Sequence, residues 1–231
     1  MLCVLCVLCG EILIARLFSK TKGDWVKEQE IIDIKSSKVV PFQSKGQVSQ
    51  SLLQRLLDKG KPCGLETITP IHTEDIIVAD WVQLKCRYGC NRYNTTWCCP
   101  PATRETDEVR KILAEYSSAL LLEVHQRYPE FYLNNSRKRI KQVRGWKGTV
   151  SLERLLFLEG FYKVFSLVGE CCALCKECTY PENCRFPQEK RPSVESFSID
   201  VIGTLHHLGR TPQVAENKND SFNYYSIILL E

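Results

Sequence analysis

Cysteine placement constrains this chain more than any other feature of its sequence. Of 13 cysteines in 231 residues, four lie within residues 86–99 and five within residues 171–184. A chain of this length can build a hydrophobic core without covalent crosslinks, so the cysteines are not needed to compensate for a small core. Their odd number, and the lack of a recognisable secretory leader, favour a reducing compartment in which thiols stay free to bind metal. We therefore expect a cytoplasmic protein.

The later group of cysteines lies in the segment GECCALCKECTYPENCRFP, residues 169–187. It contains a C-x2-C-x2-C run, and a further cysteine follows after five intervening residues. Three thiolates separated by two residues each can reach three corners of a cubane cluster, whereas structural zinc more often uses two distant C-x-x-C pairs. The spacing favours an iron–sulfur cluster, with zinc as the alternative. The candidate ligands are Cys172, Cys175, Cys178 and Cys184.

The adjacent cysteine, Cys171, is interpreted differently from Cys172. Consecutive side chains usually point apart, so only one of the two is expected at the same metal centre, and the spacing selects Cys172. Cys171 is interpreted as a small buried apolar residue.

The earlier group lies in CRYGCNRYNTTWCCPP, residues 86–101, and consists of Cys86, Cys90, Cys98 and Cys99. We expect Gly89 to let the backbone turn tightly around a bulky inorganic centre. Arg87 and Arg92 lie close enough in sequence to offset the charge of an anionic cluster, as do Lys176 and Arg185 in the later segment.

The division of these cysteines between centres stays open at the level of sequence. In the two-cluster ferredoxin pattern the fourth cysteine of a run binds the other cluster, so Cys184 could complete a set with Cys86, Cys90 and Cys99. The first three cysteines of the later run would then need Cys98, Cys63 or an open iron position. An open iron would be a substrate site, and a fully coordinated cluster would suit electron transfer.

Hydrophobic patterning predicts an α+β or α/β fold, with a small mixed sheet, helices packed on it and cysteine-rich metal-binding loops. Residues 1–45 are predicted to be an N-terminal extension, and residues 46–231 a cysteine-rich metal-binding domain. The expected helices are VSQSLLQRLLDKG, ETDEVRKILAEYSS, residues 151–168 and residues 192–209; the expected strands are DIIVADWVQLKC, ALLLEV and NYYSIILLE.

The remaining features narrow the class of protein. A net charge of +4 is too small to indicate nucleic acid binding, and the basic stretch RKRIKQVRGWK, residues 137–147, is predicted to be a solvated loop. The apolar start of the chain is interrupted by Glu11 and Arg16, so no membrane span is expected. No Ser-His-Asp arrangement or phosphate-binding glycine loop is present, which argues against an enzyme that depends on catalytic side chains.

The motifs VQLKCRYGC, CCPPATRETDEVRKILAEY and CALCKECTYPENCRFPQEKRPSVESFSIDV together resemble a prokaryotic family of predicted metal-binding proteins, a domain of unknown function. The resemblance covers roughly residues 70–231. It implies metal binding, with iron–sulfur as the expected chemistry, and it names no reaction. The ligands that it implies are Cys86, Cys90, Cys99, Cys172, Cys175, Cys178 and Cys184. The chain departs from the family pattern at Cys98, at Cys171 and at Ser198, where a cysteine is common.

The leading hypothesis from the sequence is an iron–sulfur protein with one or two [4Fe–4S] clusters. It would transfer electrons or assist a redox enzyme, with a redox protein as its partner. A zinc-stabilised interaction module is the first alternative, and an enzyme with an open cluster iron is the second. Substitution of Cys99 or Cys175 is expected to remove metal.

Overall fold

A computed structural model describes residues 48–127, 136–212, 217 and 220–231. Within these ranges it contains five α-helices and one four-stranded sheet. The helices are α1 (Gln50–Gly60), α2 (Trp81–Gly89), α3 (Thr106–Leu113), α4 (Ser136–Leu158) and α5 (Val201–His207). The strands are β1 (Leu65–His72), β2 (Ser118–Arg127), β3 (Phe165–Leu167) and β4 (Ser221–Leu229). The predicted extension, residues 1–45, lies outside the described residues.

The sheet has the strand order β1-β2-β4-β3, and every neighbouring pair is antiparallel. The expected α+β class is confirmed, although the sheet is antiparallel throughout where a mixed sheet was expected. Strands β2 and β4 form its centre, with Ala119 opposite Leu229 at one end of the ladder and Arg127 opposite Ser221 at the other. The runs ALLLEV and SIILL are apolar without alternation because both faces of these central strands are covered.

A separate hydrophobic core covers each face of the sheet. On one face, Leu120 and Leu122 pack in a cluster with Leu56 of α1 and Leu156 of α4. On the other face, alternate residues of the same strands pack against α3, α5 and the segment before α5; this cluster includes Ala119, Leu121, Ile227, Val109, Phe197 and Leu205. The period of two along β2 therefore sends successive leucines into different cores.

The segment DIIVADWVQLKC was predicted to be a strand, and that prediction is wrong. Only Val78 pairs, in an isolated bridge to Ile199, and α2 begins three residues later. Val82 and Cys86 lie one helical turn apart, with Val82 buried and Cys86 half-buried. The apolar residues follow the helical repeat better than the alternation of a strand, a distinction that short apolar runs leave ambiguous.

Two further sequence predictions need correction along α4 and before α5. The basic stretch at residues 137–147 lies in α4 and is not a loop, and the helix ends at Leu158, so that residues 165–167 of the predicted helix form β3. The predicted helix at residues 192–209 is divided, because Ser198 has a φ of 57° and Asp200 begins α5 by accepting a hydrogen bond from the Gly203 amide at 2.8 Å.

Candidate metal centre

The later cysteines lie in a long loop, residues 169–192, that is closed at its base. The Val168 amide donates to the Pro192 carbonyl at 3.0 Å, and the Val194 amide donates to the Val168 carbonyl at 3.1 Å. At its start, the Gly169 amide donates to the Ser226 hydroxyl at 2.8 Å. A Cβ on Gly169 would lie 2.6 Å from the Tyr225 carbonyl oxygen, so only glycine allows this approach to β4. We call residues 169–192 the late segment and residues 86–101 the early segment.

A buried ion pair holds the end of the late segment against the core. Both carboxylate oxygens of Glu153 in α4 accept from the Arg191 guanidinium, at 2.8 and 2.5 Å. The same carboxylate accepts from the Ser166 amide at 2.9 Å and from its hydroxyl. Bidentate pairing with these extra donors satisfies the buried charge. The late segment therefore ends at a defined position in the fold.

The early and late segments contact each other through Trp97. Its indole N–H donates to the Glu182 carbonyl at 2.7 Å, and its ring packs edge-on against Tyr180 at a centroid separation of 5.0 Å. The Lys190 ammonium lies 4.8 Å from the Trp97 ring. A backbone hydrogen bond from Ser193, the residue after the late segment, to the Cys98 carbonyl of the early segment, at 3.3 Å, adds a second connection. Folding thus brings residues from the middle and the end of the chain together.

Side chains of helix α4 contact the late segment at this junction. Trp146 is buried and donates its indole N–H to the Glu189 carbonyl at 2.7 Å, and Arg139 donates to the Leu174 carbonyl at 2.8 Å. Trp146 also packs in a small hydrophobic cluster with Cys98 and Leu174. Part of the basic stretch that the sequence predicted to be solvated is therefore used to position the cysteine-rich segments.

Four thiols interact electrostatically at one side of the junction: Cys86, Cys90, Cys99 and Cys171. Burial raises the pKa of Cys99 to about 12, with a further increase from the charges of the other three, partly offset by the nearby Thr96 hydroxyl. Burial is also the main reason that the pKa values of Cys86 and Cys171 are raised, and the charge of Cys90 adds to both shifts. We call these residues the four-thiol group.

The neighbouring cysteines, Cys98 and Cys172, form a second interacting pair. The two side chains pack in the same hydrophobic cluster, and their interaction lowers the pKa of Cys172 and raises that of Cys98. Burial opposes the decrease at Cys172, and the nearby Leu174 backbone amide and the charge of Arg92 add to it. Arg92 is one of the cations expected to offset cluster charge, and its charge also acts to lower the pKa of Cys171.

The other cysteines of the late segment line its loop. Cys175, Cys178 and Cys184 are half-buried, and the Phe186 amide donates to the Cys184 sulfur at 3.4 Å. Arg185 and Thr179 donate to the carbonyls of Glu177 and Asn183 and so brace the loop internally. All ten cysteines in the described part of the chain are free thiols.

Among the described residues, no three histidine, cysteine or acidic side chains stand together in a geometry that could hold a metal ion. The chemistry of the donors nevertheless fits a thiolate-bound metal. The charges of the four-thiol group raise the pKa of Cys99, and a cation bound there would reverse that effect. These four thiols, together with Cys98 and the cysteines of the late segment, are the residues that would bind a metal.

The structure groups the cysteines in a way that spacing alone did not indicate. Cys171, interpreted from sequence as a buried apolar residue, interacts with Cys90 and Cys99, and Cys172 interacts with Cys98. In each CC dipeptide, one thiol therefore belongs to the four-thiol group and the other to the Cys98–Cys172 pair. The relevant signal was present in the sequence, because consecutive side chains of an extended chain point to opposite sides.

The backbone around the four-thiol group differs from the expectation for Gly89. That residue ends α2, and a Cβ there would meet no other atom within 4 Å, so a glycine is not required for a tight turn. The unusual conformation lies instead at Glu170, whose φ of 68° is in the left-handed region. Such a conformation in a residue with a side chain costs about 1–2 kcal/mol, and here it immediately precedes Cys171.

Comparison with known proteins agrees with this chemistry. The model of one protein family, described as predicted metal-binding protein (DUF2284), matches residues 69–230, which include both cysteine-rich segments. No curated protein and no solved structure matches the chain. In the described part of the chain, none of the helices has the length and apolar character needed to cross a membrane. Because the family match covers more than half of the sequence, the chain belongs to this family of predicted metal-binding proteins.

Proposed function

We propose that the protein binds iron–sulfur clusters of the [4Fe–4S] type through its two cysteine-rich segments and transfers electrons. The observation that carries this proposal is that folding joins the two segments: Trp97 of the early segment donates a hydrogen bond to Glu182 of the late segment, and Cys98 packs in one cluster with Cys172. Four thiolates are the usual ligand set of one cubane cluster. One cluster would be held by Cys86, Cys90, Cys99 and Cys171; the other by Cys172, Cys175, Cys178 and Cys184, with Cys98 beside Cys172.

The number of thiols supports clusters over a single zinc ion. One tetrahedral zinc needs four ligands, and the two segments supply nine cysteines. Arg92 adds a positive charge that acts on thiols of both groups, which suits an anionic cluster. When bound, the cluster would supply a reversible one-electron redox centre, and the chain would supply the thiolates, the burial and the amide hydrogen bonds that tune its potential.

Metal analysis after purification without oxygen tests this proposal. We expect a brown protein that contains equimolar iron and acid-labile sulfide. Cys99→Ser and Cys171→Ser should each lose iron and visible absorption. Cys63→Ser serves as the matched control, because Cys63 packs against Gly148 of α4, outside both segments. A colourless protein with stoichiometric zinc would overturn the proposal in favour of a zinc-stabilised interaction module.

A substrate-binding role is the second candidate, and a cavity beside the thiols favours it. The cavity has a volume of about 370 Å³ and is lined in part by Cys86, Cys90, Glu170 and Glu195. Glu195 keeps access to solvent through this cavity, yet the surrounding protein raises the pKa of its carboxyl. A shift in the electron paramagnetic resonance spectrum on adding cyanide would indicate an iron with a replaceable ligand. An unchanged spectrum would argue against the substrate-binding role and retain electron transfer as the proposed function.

A further inference from the structure

The outer face of α2 carries apolar side chains that the described part of the fold leaves uncovered. Tyr88 is 78% exposed, Leu84 is 58% exposed and Trp81 is 43% exposed. They occupy positions i, i+3 and i+7 and form one stripe along the helix. The opposite side of α2 is directed into the protein through Val82. Large apolar residues grouped on one exposed helix face mark an interaction site more often than a solvated surface.

Two cations flank this stripe. No aspartate or glutamate occurs between Asp80 and Glu105, and the same stretch contains two lysine or arginine residues within α2, Lys85 and Arg87. The Lys85 ammonium lies 4.9 Å from the Trp81 ring centroid, and the Arg87 guanidinium lies 5.7 Å from that of Tyr88. Aromatic and cationic groups therefore alternate on one surface. We call Trp81, Leu84, Lys85, Arg87 and Tyr88 the α2 surface.

The α2 surface adjoins the four-thiol group. Cys86 lies on α2 itself, and Cys90 follows the last residue of the helix. Cys90 is exposed, Cys86 and Cys171 are half-buried, and Cys99 is buried. A molecule that reaches this centre from outside therefore meets the side of Cys90 first, beside the α2 surface.

We propose that the α2 surface is the docking site of an acidic electron-carrier protein. This inference rests on the proposed electron-transfer function. One electron would leave the reduced carrier and enter the protein's cluster, so that the carrier is oxidised and the cluster reduced, with no bond formed or broken. The positive charges of Lys85 and Arg87 would steer the carrier's acidic face, and Trp81, Leu84 and Tyr88 would form the apolar contact.

A protein partner fits this surface better than a nucleic acid. Nucleic acid binding depends on many phosphate contacts, and the α2 surface has only two cations. Its tryptophan, tyrosine and arginine are residue types that are enriched at the centres of protein interfaces.

The test uses the full-length, cluster-loaded protein and a reduced, acidic [2Fe–2S] ferredoxin as the probe, mixed by anaerobic stopped flow. At low ionic strength, Lys85→Glu and Arg87→Glu should each slow reduction by about tenfold, and the difference should shrink in high salt. Tyr88→Ala should weaken the complex by about fivefold at any salt concentration. Lys59→Glu is the matched control, because Lys59 is exposed on α1, which packs on the opposite face of the sheet. This control should change the rate by less than about twofold.

Iron content, visible spectrum and reduction by dithionite separate failure of docking from failure of the proposed function. Variants that keep iron and dithionite reduction but react with the carrier as fast as the wild type would overturn the docking site and leave the cluster intact. An equal loss in Lys59→Glu would also overturn it. A wild-type protein without iron would overturn both proposals. The α2 variants could instead abolish binding of single-stranded oligothymidine while the kinetics with the carrier stay unchanged. That result would overturn the proposed partner and identify a nucleic acid as the molecule bound by the α2 surface.

Discussion

Replacement of Arg191 by alanine tests how the fold holds the late segment. The guanidinium makes two hydrogen bonds to Glu153, and the side chains of the pair are only 15% and 10% exposed. Arg191 also donates to the Lys190 carbonyl at 2.7 Å and lies 5.5 Å from the Phe165 ring. Its removal therefore leaves a buried carboxylate without its cation at the base of the segment.

The expected loss follows from the contacts that remain. Removing one partner of a buried ion pair costs about 3–5 kcal/mol. The amide and hydroxyl of Ser166 still satisfy part of the Glu153 carboxylate, so we expect the lower end, about 3 kcal/mol. For a domain of this size, that loss lowers the melting temperature by about 6–12 °C. Arg191→Lys, which keeps the charge and loses the paired geometry, should lose less.

The assay is urea unfolding of the metal-free, reduced protein, followed by circular dichroism. Arg55→Ala is the matched control, because Arg55 contacts Glu159 at 2.8 Å but its side chain is 57% exposed. That exposed pair should contribute less than about 0.5 kcal/mol. If Arg191→Ala were no more destabilising than Arg55→Ala, the argument that burial makes the Glu153 pair structurally important would be refuted.

Three further predictions concern other parts of the junction. Gly148→Ala should destabilise the protein by about 1–2 kcal/mol in urea unfolding, because its Cβ would lie 2.7 Å from the Cys63 Cβ, whereas Gly89→Ala should be nearly neutral. Trp97→Phe should cost about 1 kcal/mol by losing the indole hydrogen bond to the late segment, and amide hydrogen exchange there should become faster. Because the pKa of Cys99 is raised, the folded, metal-free protein keeps a proton that the unfolded chain releases. Its free energy of unfolding should therefore fall as pH rises from about 9 to about 12. A Cys99→Ala variant should show a shallower decline.

Much of the fold could be predicted from local pattern. The strongly apolar ALLLEV and SIILL runs became β2 and β4, and the helix with acidic residues in its first turn became α3. The failures were short segments whose apolar residues fit two periods. Trp81–Gly89 became a helix because Val82 and Cys86 share one side of it, and tertiary packing decided between two similar local preferences.

Less of the candidate site could be predicted. The predicted resemblance to a family of predicted metal-binding proteins is confirmed by a match over residues 69–230, whereas the choice of cysteine ligands stays a prediction. It did not indicate that Cys171 interacts with Cys90 and Cys99. Glu170, directly before Cys171, has a left-handed backbone conformation that is a property of the folded chain and has no marker in residue type.

By itself, the sequence determined which residues are available: crowded thiols in two short segments, and apolar runs long enough to bury a two-faced sheet. The spacing of cysteines within each segment is a local property, since a few residues set how far apart their sulfurs can lie. The tertiary structure alone decided which thiols from the two segments meet. That choice depends on long-range contacts, namely the closed base at Val168, the buried pair of Glu153 with Arg191 and the packing of Trp97 on the late segment. Such contacts join residues tens of positions apart, and local spacing places no limit on their pairing.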